Sequence, residues 1–213
     1  PQGPSQGVPQ GVDLRTAEVL AVRTALNVQA KHGADIMSRI GFARDGDGRE
    51  TLTSSVRLQV GGLVAELLRA VEPISELRGV IIVGNTAMHH LFSGLDVSSL
   101  AQHPFEPIQL GAQAFTAAEL GWEMADNPAV VFLPCLGGFV GSDILAGVLA
   151  TGMHRSPRLQ GLIDLGTNGE IVFGNRERLL CASTAAGPAF EGARISMGMR
   201  AATGAISRVT VVE

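Results

Sequence analysis

Residues 161 to 174 read Gly-Leu-Ile-Asp-Leu-Gly-Thr-Asn-Gly-Glu-Ile-Val-Phe-Gly, which brings a carboxylate, a hydroxyl, an amide and two closely spaced glycines into one turn. An apolar run reaches Asp164, turns through Gly166, Thr167, Asn168 and Gly169, and returns from Glu170 as a second apolar run. The pattern predicts a β-hairpin with Asn168-Gly169 as a type I′ turn. A plain hairpin needs only the Asn-Gly pair. The additions suit a phosphate and its metal: glycine admits a close backbone approach, successive amides make an anion-binding concavity, and Asp164 could hold Mg²⁺ directly or through water. An ordinary structural hairpin is the competing assignment.

Three other strand ends carry comparable chemistry. Gly79 to Met88 is an apolar strand that ends in Asn85-Thr86 and opens a helix, the pattern of a buried central strand in an α/β sheet. Ligands bind at such ends, but Asn85 and Thr86 serve equally well as a helix N-cap and first-turn residue. Ala129 to Leu133 enters Pro134 to Asp143, where Gly137, Gly138 and Gly141 hold the backbone close to a ligand or a neighbouring helix. A helix from Ser142 to Thr151 follows, so Asp143 is either a catalytic carboxylate or an early helix residue favoured by the macrodipole; spacing favours the helix. Leu179 to Ser183 is a further strand that runs into Thr184 to Ala193. There, small residues and Gly187-Pro188 at a helix start, with Glu191 beyond, suggest a second backbone cradle for phosphate or nucleoside.

The elements that position these groups follow from periodicity. Val12 to Thr24 reads as a hairpin, and Ala34, Met37, Ile40 and Ala43 line one helical face that ends at Asp45-Gly46-Asp47-Gly48. That run lacks the spaced ligands of a calcium loop and reads as a solvated turn. Residues 52 to 71 form a longer amphipathic helix stopped by Pro73, with Gly61-Gly62 inside it. A short helix is expected over Ala114 to Leu120. Adjacent His89 and His90 on one helix face different directions, which argues against a shared metal. Residues 1 to 11 form a Pro/Gly/Gln tract expected to be disordered, and Val209 to Glu213 reads as the middle of another strand, as though the chain were cut there.

Composition bounds the function. The 213 residues are 46% hydrophobic and 17% charged, with a mean hydropathy of +0.25, so the chain should fold. A net charge of −4, no cationic cluster and no Tyr argue against a nucleic-acid surface. Cys135 and Cys181 stand far apart in apolar surroundings and read as buried free thiols, with no disulfide, zinc or iron–sulfur pattern. With no apolar stretch of about 18 residues and no signal-like start, a cytoplasmic location off the membrane is expected.

Asp164 to Glu170, Thr184 to Ala193, Val83-Gly-Asn-Thr-Ala-Met88 and Gly33-Ala-Asp-Ile-Met-Ser-Arg-Ile40 together resemble the ATP-dependent reductive activators of corrinoid proteins. That family belongs to the acetate and sugar kinase/Hsp70/actin (ASKHA) superfamily, and the likeness runs from Val12 to Glu213. It implies an α/β fold of ribonuclease-H-like, actin-like ATPase lobes with ATP and Mg²⁺ in the cleft. Hydrolysis would be coupled to passage of a low-potential electron from a 2Fe–2S domain to the Co(II) of an inactivated corrinoid protein, restoring Co(I). The partner would be a corrinoid iron–sulfur protein or the corrinoid component of a methyltransferase, and a homodimer is a further expectation. By this likeness Gly166, Thr167, Asn168, Gly169 and Glu170 form the second phosphate loop beside Asp164, which carries Mg²⁺ and catalysis, while Gly187, Pro188 and Glu191 line the adjacent nucleotide cleft. Gly137 to Asp143 would connect the lobes.

The implied organisation is a disordered tract at 1–11, a first lobe at 12–155 without its first phosphate hairpin, and the start of a second lobe at 156–213. The sequence departs from the family in that missing Asp-x-Gly-Thr-Thr hairpin, in the absence of a ferredoxin-like cysteine set and a later adenosine-binding segment, and in Val28. Val28 stands where the family's Asn-Pro-Gln turn has proline. These 213 residues alone are therefore expected to hydrolyse ATP negligibly. Competing assignments are another ASKHA enzyme, such as a small-molecule kinase or dehydratase activator, and a non-catalytic interaction module.

Overall fold

Backbone pairing begins earlier than composition implies. The computed structural model describes residues 6–33, 35–71, 76–166 and 168–185, and four short strands come first: β1 (Gln6–Gly7), β2 (Gln10–Val12), β3 (Val19–Val22) and β4 (Ala25–Leu26). β1 pairs with β4 and β2 with β3, both antiparallel. The tract expected to be disordered through residue 11 is therefore ordered from Gln6 onward. Ladder bonds use backbone groups, which Gln and Gly supply as well as apolar residues do, and Pro9 O also accepts from Arg23 N at 3.1 Å. The hairpin expected across Val12 to Thr24 is the β2–β3 pair.

Residues 4–146 make one compact unit and a second is drawn from residues 147–213. In the first, a 3₁₀ helix over Val28–His32 is capped by the Asn27 side chain, which accepts from Gln29 N. Val28 N donates to Gln59 Oε1 at 3.0 Å, a bond proline could not make. Helix α1 (Ile36–Ala43) starts at Asp35, whose carboxylate accepts from Ser38 N at 2.8 Å. The exposed corner Asp45–Asp47 leads into α2 (Gly48–Ala70). Gly61 in α2 is needed because a Cβ there would overlap the Trp122 indole, which belongs to the same buried cluster as Val56, Val64, Phe92, Val130 and Phe132. Ala34 and Pro73 lie outside the described residues.

Strand β5 (Gly79–Ile82) leads to α3 (Thr86–Ser93), followed by β6 (Gln113–Thr116) and β7 (Ala129–Phe132). β7 is central, parallel to β5 and antiparallel to β6. Two expectations change here. β5 lies at the edge of these three strands with Ile81 73% exposed, because β7 takes the middle position. The helix expected over Ala114 to Leu120 is instead β6 plus a 3₁₀ turn at Ala118–Leu120, since β7 offers its edge to Gln113–Thr116 and Asn127 Oδ1 accepts from Ala118 N to open the turn. Thr53 Oγ1 and Arg57 Nε, one turn apart on α2, donate to Leu91 O and Phe92 O, each at 2.7 Å. They satisfy carbonyls that the end of α3 leaves without intrahelical partners.

Helix α4 (Ser142–Thr151) matches its expected span and contains the division between the units. Strands β8 (Gln160–Leu165), β9 (Asn168–Gly174) and β10 (Leu179–Ala185) then form an antiparallel sheet with β9 in the middle. The division by contacts, between residues 146 and 147, falls inside α4, where Gly147 lies close to this sheet: a Cβ on it would lie 3.0 Å from Leu162 Cδ2. Cys135 is buried as expected, but Cys181 is exposed. The expected strand at Val209 to Glu213 lies outside the described residues.

Candidate functional site

Parallel pairing sets the carboxyl ends of β5 and β7 side by side, and the chain itself fills the space between them. Ser142 N donates to Gly84 O at 2.9 Å, and the Ser142 hydroxyl lies 3.1 Å from Gly84 N and 3.2 Å from Gly84 O. Thr86 Oγ1 donates to Gly137 O, and Asn85 Oδ1 caps α3 by accepting from Met88 N at 2.9 Å. A Cβ on Gly141 would collide with Gly84 O and the Asn85 backbone, and one on Gly138 with Phe105 O. The close approach that these glycines permit is of backbone to backbone. Asn85 and Thr86 are thus occupied as cap and lock. Asp143 stands in the first turn of α4, where its Oδ1 accepts from Ile144 N at 2.9 Å. Burial pushes the Cys135 thiol pKa up, Thr86 offsets this in part, and the Asp143 charge adds to it.

Helix α3 holds an arrangement that differs from the one its sequence suggests. His89 and His90 are both fully buried, and their Nδ1 atoms lie 3.4 Å apart rather than facing away. His89 Nε2 is 3.1 Å from Gly111 O and His90 Nδ1 is 2.9 Å from Thr86 O. A carbonyl oxygen only accepts, so those two nitrogens carry the protons and His89 Nδ1 accepts from His90. With both rings neutral, His90 Nε2 is left buried without a hydrogen-bond partner among the described residues, and burial lowers both pKa values.

The β8–β9 hairpin is more open. Leu165 pairs with Gly169, and Gly166 N donates to Asn168 O at 2.9 Å. Asn168 and Gly169 are therefore strand residues, not a type I′ pair, because β9 extends to pair Asn168 with Ala185 of β10. Asp164 lies opposite Glu170, which lies opposite Ser183, so the three form one row across three strands. Ser183 Oγ donates to Glu170 Oε1 at 3.0 Å. Asp164 is exposed, and Asn168 Oδ1 is buried with no hydrogen-bond partner among the described residues. Thr167, Gly187, Pro188 and Glu191, with most of the Thr184 to Ala193 cradle, lie outside them. Ser183 was not singled out from sequence; the parity of alternating strands reveals it only once the register is known.

Carboxylates directly opposite one another weaken a sheet unless a cation lies near. Among the described residues no group of three His, Cys, Asp or Glu side chains could hold a metal by itself. Mg²⁺ commonly takes only one or two carboxylates and completes its shell with water and substrate phosphate. The Asp164 end of the hairpin, with an unsatisfied amide oxygen beside it, fits that donor set.

Residues 3–156 match the family model described as the RACo middle region, and residues 159–213 match the C-terminal domain of RACo, the ASKHA domain. The chain belongs to the RACo family. Among its relatives, a corrinoid activation enzyme, RamQ, of Eubacterium limosum is 36% identical over 202 residues, covering 92% of this chain and 33% of that protein. A [Co(II) methylated amine-specific corrinoid protein] reductase of Methanosarcina barkeri is 27% identical over 212 residues, covering 94% of this chain and 38% of that protein. The solved structure of a reductive activator for corrinoid,iron-sulfur protein superposes with a TM-score of 0.78 at 38% identity, covering 98% of this chain and 33% of that one. The chain spans about one third of the length of these relatives. The two family matches meet between residues 156 and 159, and the ASKHA description attaches to the part that carries the Asp164 hairpin.

Proposed function

We propose that this chain is a segment of an ATP-dependent activator that returns an inactivated corrinoid protein from Co(II) to Co(I). The observation that carries the proposal is the row Asp164, Glu170 and Ser183 near a glycine turn, with Asn168 Oδ1 lacking a hydrogen-bond partner among the described residues. The names of the RACo relatives support the corrinoid partner, either a corrinoid iron–sulfur protein or a methyltransferase's corrinoid component. Asp164 would orient hydrated Mg²⁺, Glu170 would hold one of its waters, and Gly166 to Gly169 would lie along the phosphates of ATP. The electron would come from a 2Fe–2S domain that these residues do not comprise. Asp143 remains in this proposal as a catalytic carboxylate, and Gly187, Pro188 and Glu191 as nucleotide-binding residues. Residues 12–155 would be the first ASKHA lobe and 156–213 the start of the second, in a cytoplasmic protein. Among the described residues, no helix is long and apolar enough to cross a membrane.

The test uses the full-length protein with its corrinoid partner, a low-potential reductant, ATP and Mg²⁺. Formation of Co(I), followed by its absorbance, should require both ATP and Mg²⁺ and should be lost in Asp164→Asn. Nucleotide-independent reduction, or an unchanged Asp164→Asn variant, would overturn the proposal.

A further inference from the structure

The end of the β8–β9–β10 sheet opposite the Asp164 turn carries a different chemistry. Two loops meet there, residues 155–159 and 175–178, joined by Arg176 N to Ser156 O at 2.8 Å and Asn175 Nδ2 to Pro157 O at 3.4 Å. They bring together Arg155, Arg158, Arg176 and Arg178, all exposed, against one carboxylate, Glu177. The loops thus hold four of the chain's 16 Lys and Arg residues although the whole chain carries a net charge of −4. The ion pairs among the described residues are Arg15–Asp13, Arg23–Glu66 and Arg78–Glu76, so among those residues none of these four guanidinium groups has a carboxylate ion-pair partner. Asp164 and Glu170 lie four residues up the strands, about 13 Å away at the usual rise. That exceeds the screening length of about 8 Å at physiological salt, so the two ends of the sheet act as separate electrostatic surfaces.

The arrangement favours a protein partner over a small anion. A small-anion site pins its guanidinium groups with partners and encloses them, whereas these four are spread over two exposed loops. Leu159 follows directly after Arg158 and is 63% exposed. Arginine is enriched in protein interfaces and among the residues that dominate their binding energy. Nucleic acid fits poorly, since no aromatic residue stands on either loop to stack a base.

We infer that residues 155–159 and 175–178 form a basic docking surface for an acidic face of the corrinoid protein, an assignment that rests on the function proposed above. Opposite charge steers encounter chiefly through the association rate, and salt screens it. Held at this end, the partner leaves the Asp164 turn of the same hairpin open.

The test measures association of the full-length protein with its purified corrinoid protein by stopped flow across a salt series. It compares the wild type with Arg155→Glu/Arg158→Glu/Arg176→Glu/Arg178→Glu, after a thermal melt confirms that the variant folds. At low salt the variant should associate at least about tenfold more slowly, with a much flatter salt dependence. If the glutamate variant fails to fold, the four-glutamine variant should show the same flattening with a smaller rate loss. Wild-type association that is insensitive to salt, or variants that associate like the wild type, would overturn the inference while leaving ATP-dependent Co(I) formation intact. Binding to vesicles of anionic phospholipid that the substitutions abolish, with corrinoid-protein association unchanged, would assign the surface to a membrane and also overturn it. A wild-type protein that neither associates with the corrinoid protein nor yields Co(I) would overturn both readings.

Discussion

Two glycine-rich strand ends in this chain look alike in sequence and differ in what approaches them. At Gly84–Thr86 and Gly137–Ser142 the approaching group is another stretch of backbone: the Ser142 hydroxyl and amide close on Gly84, Thr86 closes on Gly137, and Gly141 leaves no room for a side chain. At Gly166 a Cβ would meet, among the described residues, only Asn168 O, at 3.5 Å, and Asn168 Oδ1 has no hydrogen-bond partner among them. Glycine at a strand end reports close approach. What approaches is decided by the surrounding donors and acceptors, which are used up in the first region and available in the second.

This contrast breaks most visibly at Gly141. Gly141→Val should cost about 3 kcal/mol or more by forcing the two strand ends apart, read as a lowered urea midpoint. A variant with wild-type stability that had lost nucleotide affinity would make the first region a ligand cradle after all. At the hairpin the expected outcome is reversed. Asp164→Asn should leave the melt in place, since the side chain is exposed, and weaken Mg²⁺-dependent ATP binding by isothermal titration at least about tenfold, which is about 1.4 kcal/mol.

The buried histidine pair sharpens the comparison through pH. Both folded pKa values lie below the unfolded value, so unfolding takes up protons in the interval between them. Stability should therefore be full above about pH 6.5 and fall as pH drops through the folded values. His89→Gln/His90→Gln should flatten that dependence in denaturant titrations at pH 7 and pH 5. The smallest effect is expected at Val28→Pro. Loss of the Val28 N–H bond to Gln59 costs about 1 kcal/mol, and the stiffer unfolded chain returns about 0.4–1 kcal/mol. Asn27 already has ψ 115°, which a following proline accepts, so the net change in urea midpoint should be close to zero.

Local pattern alone determined a good deal about this protein. The α2 periodicity, the Ser142–Thr151 helix and the apolar runs of β5, β7, β8 and β9 are all legible because a helix face or a pleated strand needs only its own side-chain period. The motif order that marks the RACo family is likewise a property of the sequence. Tertiary structure decided whatever depended on a partner distant in the chain. Gln6 to Val12 became strands because Val19–Val22 and Ala25–Leu26 offered edges, and Gln113–Thr116 left the helical state because β7 did. Asn168 and Gly169 joined β9 because β10 extends to Ala185, and His89 met His90 because Gly111 O holds His89 Nε2 and Thr86 O holds His90 Nδ1. Backbone and imidazole groups accept whichever satisfying partner folding brings, and their own residue types do not name it.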